Sequence, residues 1–281
     1  MKIDTTRRGF FGAAAGFAGF AATVGRLSAE IDNEALGFKL GIATYSFRSF
    51  PRAEAIKMIL DLQTPFVSVK EVHLPYKDSP EDLEKGRKEF EAAGIKIMSG
   101  GNISLSKNDD ADIKKYFEYA KTCGMPMIVC APTHENLKKL EAAVKEYNIK
   151  AAIHNHGPED KHFPSPESVL EAVKGLDPRV GLCMDCGHSE RAGSDPVKVV
   201  GLAGPRLLDM HIKDLRSLTD KGSQCDVGDG KIPIPALFKA LHKHGYKGCV
   251  NLEYEINAKA PMPGMQRSFS YMRGVMAGIK A

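Results

Sequence analysis

The chain has 281 residues, 26% of them charged and 43% hydrophobic, and a formal net charge of +4. Of that charge, +3 lies in residues 1–29, where Lys2, Arg7, Arg8 and Arg26 face only Asp4, which leaves about +1 on the rest. A remainder so close to neutrality has no basic stripe to track a phosphate backbone, which excludes nucleic acid as the expected partner.

The first segment, "TTRRGFFGAAAGFAGFAATVGRLSA", opens on paired arginines and continues in Phe, Ala and Gly. It is shorter and richer in glycine than a membrane span, which needs about 20 apolar residues. It reads as an export signal over residues 1–29 and resembles a twin-arginine leader. The expectation is a mature chain that starts near Glu30, works in the periplasm and keeps no membrane span after processing. The six cysteines (Cys123, Cys130, Cys183, Cys186, Cys225 and Cys249) sit mostly in apolar runs and are expected to be free, buried thiols. Cys183 and Cys186 form a C-x-x-C without a second pair for zinc or the helix context of a redox motif.

From Lys39 onward, apolar strand-like runs alternate with helix-like segments. "KLGIATYSF" precedes 51–63, "FVSVKEVHL" 80–93, "IKIMSGGNI" 109–123 and "MPMIVCAP" 134–147. "IKAAIHNH" then precedes 166–174, "RVGLCMDCGH" 195–202, "RLLDMHIKD" 234–244 and "GCVNLEYEI" 265–279. Eight such units without a composition break predict an α/β fold, a single (β/α)8 TIM barrel over residues 30–281. An open doubly wound sheet is the alternative, but no glycine-rich phosphate loop follows the first strand.

Strand parity then sorts the polar residues. In the fifth run His154 and His156 share a face against Ile153. In the sixth, Asp185 lies with Cys183 against Leu182 and Met184. In the seventh, Asp209, His211 and Lys213 oppose Leu208, Met210 and Ile212, and in the eighth Asn251, Glu253 and Glu255 oppose Val250 and Leu252. Because the helix-facing side of a barrel strand must be apolar, the polar series is predicted to point inward. By the same reasoning Glu71 and His73 point inward from the second run. These residues fall late in their runs, at the mouth where barrel enzymes keep their active sites. Imidazoles and carboxylates converging from several strands form the donor set of a divalent metal. His134, His162, His242 and His244 lie in loops or at helix ends, where no chemistry is expected.

The runs "HNHG", "MDCGH", "DMHIKD" and "NLEYE", in that order, resemble the xylose isomerase-like TIM-barrel family of sugar isomerases and epimerases. The resemblance covers nearly all of the chain after the leader. It implies a divalent metal held by residues ending strands five to eight, here His154, Asp185, His211 and Glu253. Many epimerases of the family have a glutamate where this chain has His154. Epimerisation needs a group on each face of the reacting carbon, so its absence moves the expectation toward aldose–ketose isomerisation or a lyase-type elimination. Glu71 or His73 remains available as a second group.

The resemblance implies a metal-dependent sugar isomerase or epimerase acting on an unphosphorylated sugar or keto-sugar through an enediolate. Glu253, or a neighbour it orients, takes the proton, while Lys213 and His188 bind hydroxyls or developing negative charge. Lys213 has an alternative use as an ion pair with Asp214 or Glu253, and Asp209 reads as a buried support. His156, Glu71, His73 and Tyr45 are the substrate-contact candidates, Tyr45 with core packing as its alternative. Imidazole at position 154 favours manganese, cobalt, zinc or iron over magnesium. The long segment 215–233 is expected to cover the substrate; Asp226, Asp229 and Lys231 either reach it or, as is more usual, form a turn feeding the helix after Pro233, and "GG" at 100–101 is expected to end the third strand. A lyase or dehydratase acting on a keto-sugar or keto-glycoside, a non-catalytic carbohydrate-binding relative and a phosphodiesterase of the DNA-repair type are the alternatives. The near-neutral charge counts against the last. Homo-oligomerisation is left open.

Overall fold

The structure, a computed structural model, describes residues 32–281. The expected export signal lies outside the described residues. Among these, eight parallel strands close into a barrel: β1 Lys39–Ala43, β2 Phe66–Val69, β3 Lys96–Leu105, β4 Met127–Pro132, β5 Lys150–His154, β6 Val180–Asp185, β7 Leu207–Ile212 and β8 Cys249–Leu252. Consecutive strands pair, and β8 returns to β1 with Leu40 opposite Val250.

The helices around the barrel are α1 Arg52–Asp61, α2 Pro80–Ala92, α3 Asp110–Thr122, α4 Leu137–Tyr147, α5 Pro166–Ala172, α6 Cys186–Arg191, α7 Pro196–Ala203, α8 Ile234–Lys243 and α9 Met262–Lys280. Local chemistry sets several of their starts. Ser79, Asp109, Ser165 and Asp195 each accept a backbone N–H of the first turn, and a proline opens α2, α5 and α7. No helix among the described residues is long and apolar enough to cross a membrane. The six cysteines are buried and free, as expected.

The strands divide the core into two layers. Their outward residues, among them Ile153, Leu182, Met184, Met210, Ile212, Val250 and Leu252, pack in the large cluster beneath the helices. Inside the barrel, Met127, Val129, Ala152 and Cys183 form a plug with Leu208 packed against it. A buried polar group joins them: Asp209 accepts from Ser99 Oγ at 2.7 Å and from Asn251 Nδ2 at 2.8 Å. Asp209 is therefore the internal support expected of it, and burial raises its pKa to about 6.

Three local expectations are corrected. First, β2 ends at Val69, and both Val67 and Val69 face the outer layer. The parity argument therefore fails for Glu71 and His73, which lie in the turn that follows. Second, "GG" does not end β3. The strand runs on to Leu105 with a register shift between Gly100 and Ile103. At Gly101, φ is 144°, and an added Cβ would lie 2.0 Å from the Val129 carbonyl oxygen, so the glycine admits β4 at close range. Third, Leu208 joins the inner plug with Asp209 beside it, because a register shift between Leu182 and Cys183 interrupts the alternation along β7.

Candidate metal centre at the barrel mouth

The C-terminal ends of β5, β6 and β7, with the residue after β8, bring His154, Asp185, His211 and Glu253 together. One ligand atom from each lies within 4.8 Å of the others. His154 Nε2 is 3.1 Å from His211 Nδ1 and 3.6 Å from Asp185 Oδ2, and His211 Nδ1 is 3.4 Å from Glu253 Oε2. All but Glu253 are buried, and Glu253 is only 12% exposed. Asp185 also caps α6, its Oδ1 accepting the His188 N–H at 2.8 Å. That bond fixes the carboxylate and leaves Oδ2 for the centre.

Lys213 lies over this group. Its Nζ is 3.0 Å from Asp185 Oδ2, 2.8 Å from Glu253 Oε2 and 2.7 Å from Glu255 Oε2. Gly187 leaves the space for it, since a Cβ there would lie 2.7 Å from Lys213 Cγ. Of the two pairings open in the sequence, Glu253 is used. Asp214 instead accepts the N–H groups of Gly228, Gly230 and Ile232 and folds the following loop.

Electrostatics set the protonation of the group. Burial drives His154 down to about 3, so its ring is neutral. Burial opposes ionisation of Asp185 and Glu253, but Lys213 with His188 and His154 at Asp185, and Lys213 with His211 at Glu253, together outweigh it and hold both carboxyls well below their usual range. Lys213 is held well above its own, because Asp185, Glu253 and Glu255 outweigh its burial. Burial opposes protonation of His211, but Cys183 and Glu253 together outweigh it and raise its pKa well above the usual imidazole value. Asp185, Glu253 and Glu255 thus offset Lys213 and His211 and leave a surplus of one negative charge, and an arriving cation displaces the His211 proton. His154 Nδ1 and His211 Nε2 are buried without a hydrogen-bond partner, and Asp185 Oδ2 has only its ion pair with Lys213. A neutral imidazole, two ionised carboxylates and orphaned donors suit a divalent cation, which binds only deprotonated ligands.

A cavity of about 720 Å³ opens above the centre. His156 and His188, both expected near the substrate, stand in its wall with Lys213. His156 Nδ1 is 3.3 Å from Asp160 Oδ2, and its Nε2 is 2.8 Å from Asn102 Nδ2. Arg191 donates to His188 Nδ1 at 3.0 Å and pairs through its other nitrogen with Glu159. Burial lowers the pKa of both imidazoles.

This order of donors on β5 to β8 agrees with a family-wide match over residues 65–275, described as xylose isomerase-like TIM barrel. The chain belongs to the xylose isomerase-like TIM-barrel family. It is 30% identical over 134 residues to the rhizopine catabolism protein MocC of Rhizobium meliloti, a stretch covering 42% of this chain and 41% of MocC. It is 28% identical over 137 residues to an inosose dehydratase of Clostridium tetani, covering 43% and 45% respectively. The chain thus spans under half the length of these curated relatives. Among solved structures, the IOLI protein with a bound zinc atom superposes with a TM-score of 0.73 at 19% identity, covering 86% of this chain and 99% of that one.

In this xylose isomerase-like barrel the other site candidates are dispersed. His73 is fully buried, with Nδ1 3.0 Å from Thr44 Oγ1, and takes no part in the cavity wall. Glu71 pairs with Lys70 at 2.7 Å. Tyr45 is half-buried on the turn after β1 and stacks with Arg48, 4.6 Å from the ring centroid. Asp226 holds the Tyr254 hydroxyl and Arg267, while Asp229 and Lys231 are exposed. From the loop 215–233 it is Leu215, Lys221, Gly222 and Gln224 that line the cavity.

Sequence reasoning missed Asn102, Asp160, Arg191 and Glu255. Glu255 was within reach, since it shares the inward parity of Glu253. Asp160 stands four residues after His156, but only the turn at Gly157 brings the two together. Asn102 and Arg191 carried no local signal.

Proposed function

We propose that the protein is a metal-dependent lyase of the dehydratase kind. It removes a proton beside the carbonyl of an unphosphorylated cyclic keto-sugar and expels a hydroxyl or glycosyl group from the next carbon. The observation that carries this reading is His154. Across the donor group from Glu253, where two-base epimerisation needs an acid–base carboxylate, stands an imidazole that burial keeps neutral to about pH 3. Such a group neither donates nor accepts protons effectively at neutral pH. The inosose dehydratase relative supports the same choice.

His154, Asp185, His211 and Glu253 would hold the cation, which when bound supplies Lewis-acid polarisation of the carbonyl and a neighbouring hydroxyl. The chain's own residues do the rest. Asp160 faces His156 Nδ1 and favours the proton there, which makes Nε2 the acceptor; Asn102 Nδ2 donates to it at 2.8 Å, and the substrate C–H takes that place on binding. Arg191 has only donors, so His188 Nδ1 accepts and Nε2 carries a proton for the leaving oxygen. Lys213 places fixed positive charge beside the enediolate oxygens. Lys213 and Arg191 are committed to carboxylates, and of the wall cations among the described residues only the exposed loop residue Lys221 is not ion-paired, so the wall holds little uncommitted positive charge, which favours a substrate without a phosphate.

The test is incubation of metal-loaded protein with cyclic keto-sugars and keto-glycosides in D2O. The expected result is an unsaturated ketone, seen by its ultraviolet absorbance, with exchange at the carbon next to the carbonyl. Inversion of a stereocentre without elimination would replace this reading by epimerisation. Absence of exchange with every metal tried would reject both.

A further inference from the structure

The two imidazoles of the metal centre also face a sulfur. Cys183 lies on β6 two residues before Asp185, and its pairing partner across the sheet is His154. One ligand atom from each of His154, Cys183 and His211 lies within 4.8 Å of the others, and all three residues are buried. The rings touch each other through His154 Nε2 and His211 Nδ1. Each leaves its second nitrogen, His154 Nδ1 and His211 Nε2, buried and without a hydrogen-bond partner.

We propose that His154, Cys183 and His211 form a second, sulfur-containing ligand set at the floor of the mouth. It takes a thiophilic divalent ion of the zinc or cadmium class in competition with the oxygen-rich set of Asp185 and Glu253. Two histidines and a thiolate with an open fourth position match the preferences of such ions, whereas carboxylates suit manganese and magnesium. Tetrahedral bonds of about 2.0–2.1 Å to nitrogen and about 2.3 Å to sulfur require ligand atoms about 3.3–3.8 Å apart. The cluster reaches that by closing about 1 Å. The sulfur–metal bond forms as the S–H bond breaks, and the thiol proton leaves to solvent. Both sets share the same imidazoles, so one ion excludes the other. The inference extends the proposed function by giving the site a route to inhibition by thiophilic metals.

The experiment titrates chelator-treated full-length protein with cadmium chloride and follows the thiolate-to-cadmium ultraviolet band and proton release. Wild type is expected to saturate at one equivalent with proton release. Cys183→Ala is expected to lose the band and bind cadmium at least about 100-fold more weakly, since even outer-shell substitutions cost 10–100-fold. Cys130→Ala serves as the control for a neighbouring buried thiol and keeps the band. Asp185→Asn retains the Asp185 cap chemistry and the cadmium band while losing manganese. No band in wild type, a band unchanged in Cys183→Ala, or a band lost equally in Cys130→Ala or Asp185→Asn would each overturn the proposal. The readout needs no substrate, so loss of the lyase reading leaves it standing.

Discussion

Acidification from neutrality should destabilise the barrel through His73, a residue far from any proposed chemistry. Its ring is fully buried, with Nδ1 3.0 Å from Thr44 Oγ1. Burial is the main cause that brings its pKa from 6.5 down to about 4. Hydrogen bonds to the backbone at Phe50 and Phe47 oppose the change, the nearby Arg52 reinforces it, and Glu71 opposes it weakly. With the folded pKa below the unfolded one, the unfolded chain takes up the proton first. The contribution is therefore complete above pH 6.5 and is lost as pH falls toward 4. At 1.36 kcal/mol per unit, the gap between 6.5 and about 4 corresponds to about 3 kcal/mol, of which about 2 kcal/mol is gone by pH 5. Urea unfolding of wild type and His73→Gln at pH 7.5 and 5, both with chelator, isolates this share, because the other histidines titrate alike in both proteins. The variant should lose about 2 kcal/mol less than wild type between the two pH values. Equal losses with unchanged m-values would refute the argument.

Asp185→Ala and His211→Ala should each abolish stoichiometric manganese in elemental analysis while circular dichroism still reports a folded barrel; full manganese content in both would reject the assignment. His154→Glu adds a carboxylate to the donor set and should move preference toward manganese or magnesium, read by competitive binding, and an unaltered preference would remove His154 from the ligands. Lys213→Met leaves three carboxylates without their cation, so the metal-free protein should lose about 3–5 kcal/mol, as for a broken buried pair. Its melting temperature should then rise more on manganese addition than that of wild type. His156→Ala should reduce turnover at least about 100-fold, as for a lost general base, with metal content unchanged.

The barrel was legible in the sequence because its signal is local and repeated. Alternating β-strand and helix patterns, with an apolar outward face on each strand, suffice to specify eight units, and the same parity placed Asp185, His211 and Glu253 inward. Parity carries information only while a strand continues in register. It failed at Glu71 and His73, where β2 ends at Val69, and at Leu208, where the shift in β7 puts two adjacent side chains inside. What only the tertiary structure decided are the contacts between residues distant in sequence. Lys213 reaches Asp185, Glu253 and Glu255, Arg191 orders His188, and Cys183 comes beneath two histidines from other strands. Pattern fixes which face a side chain takes. Only closure of the barrel brings those faces within bonding distance, and that distance sets charge, protonation and ligand competition.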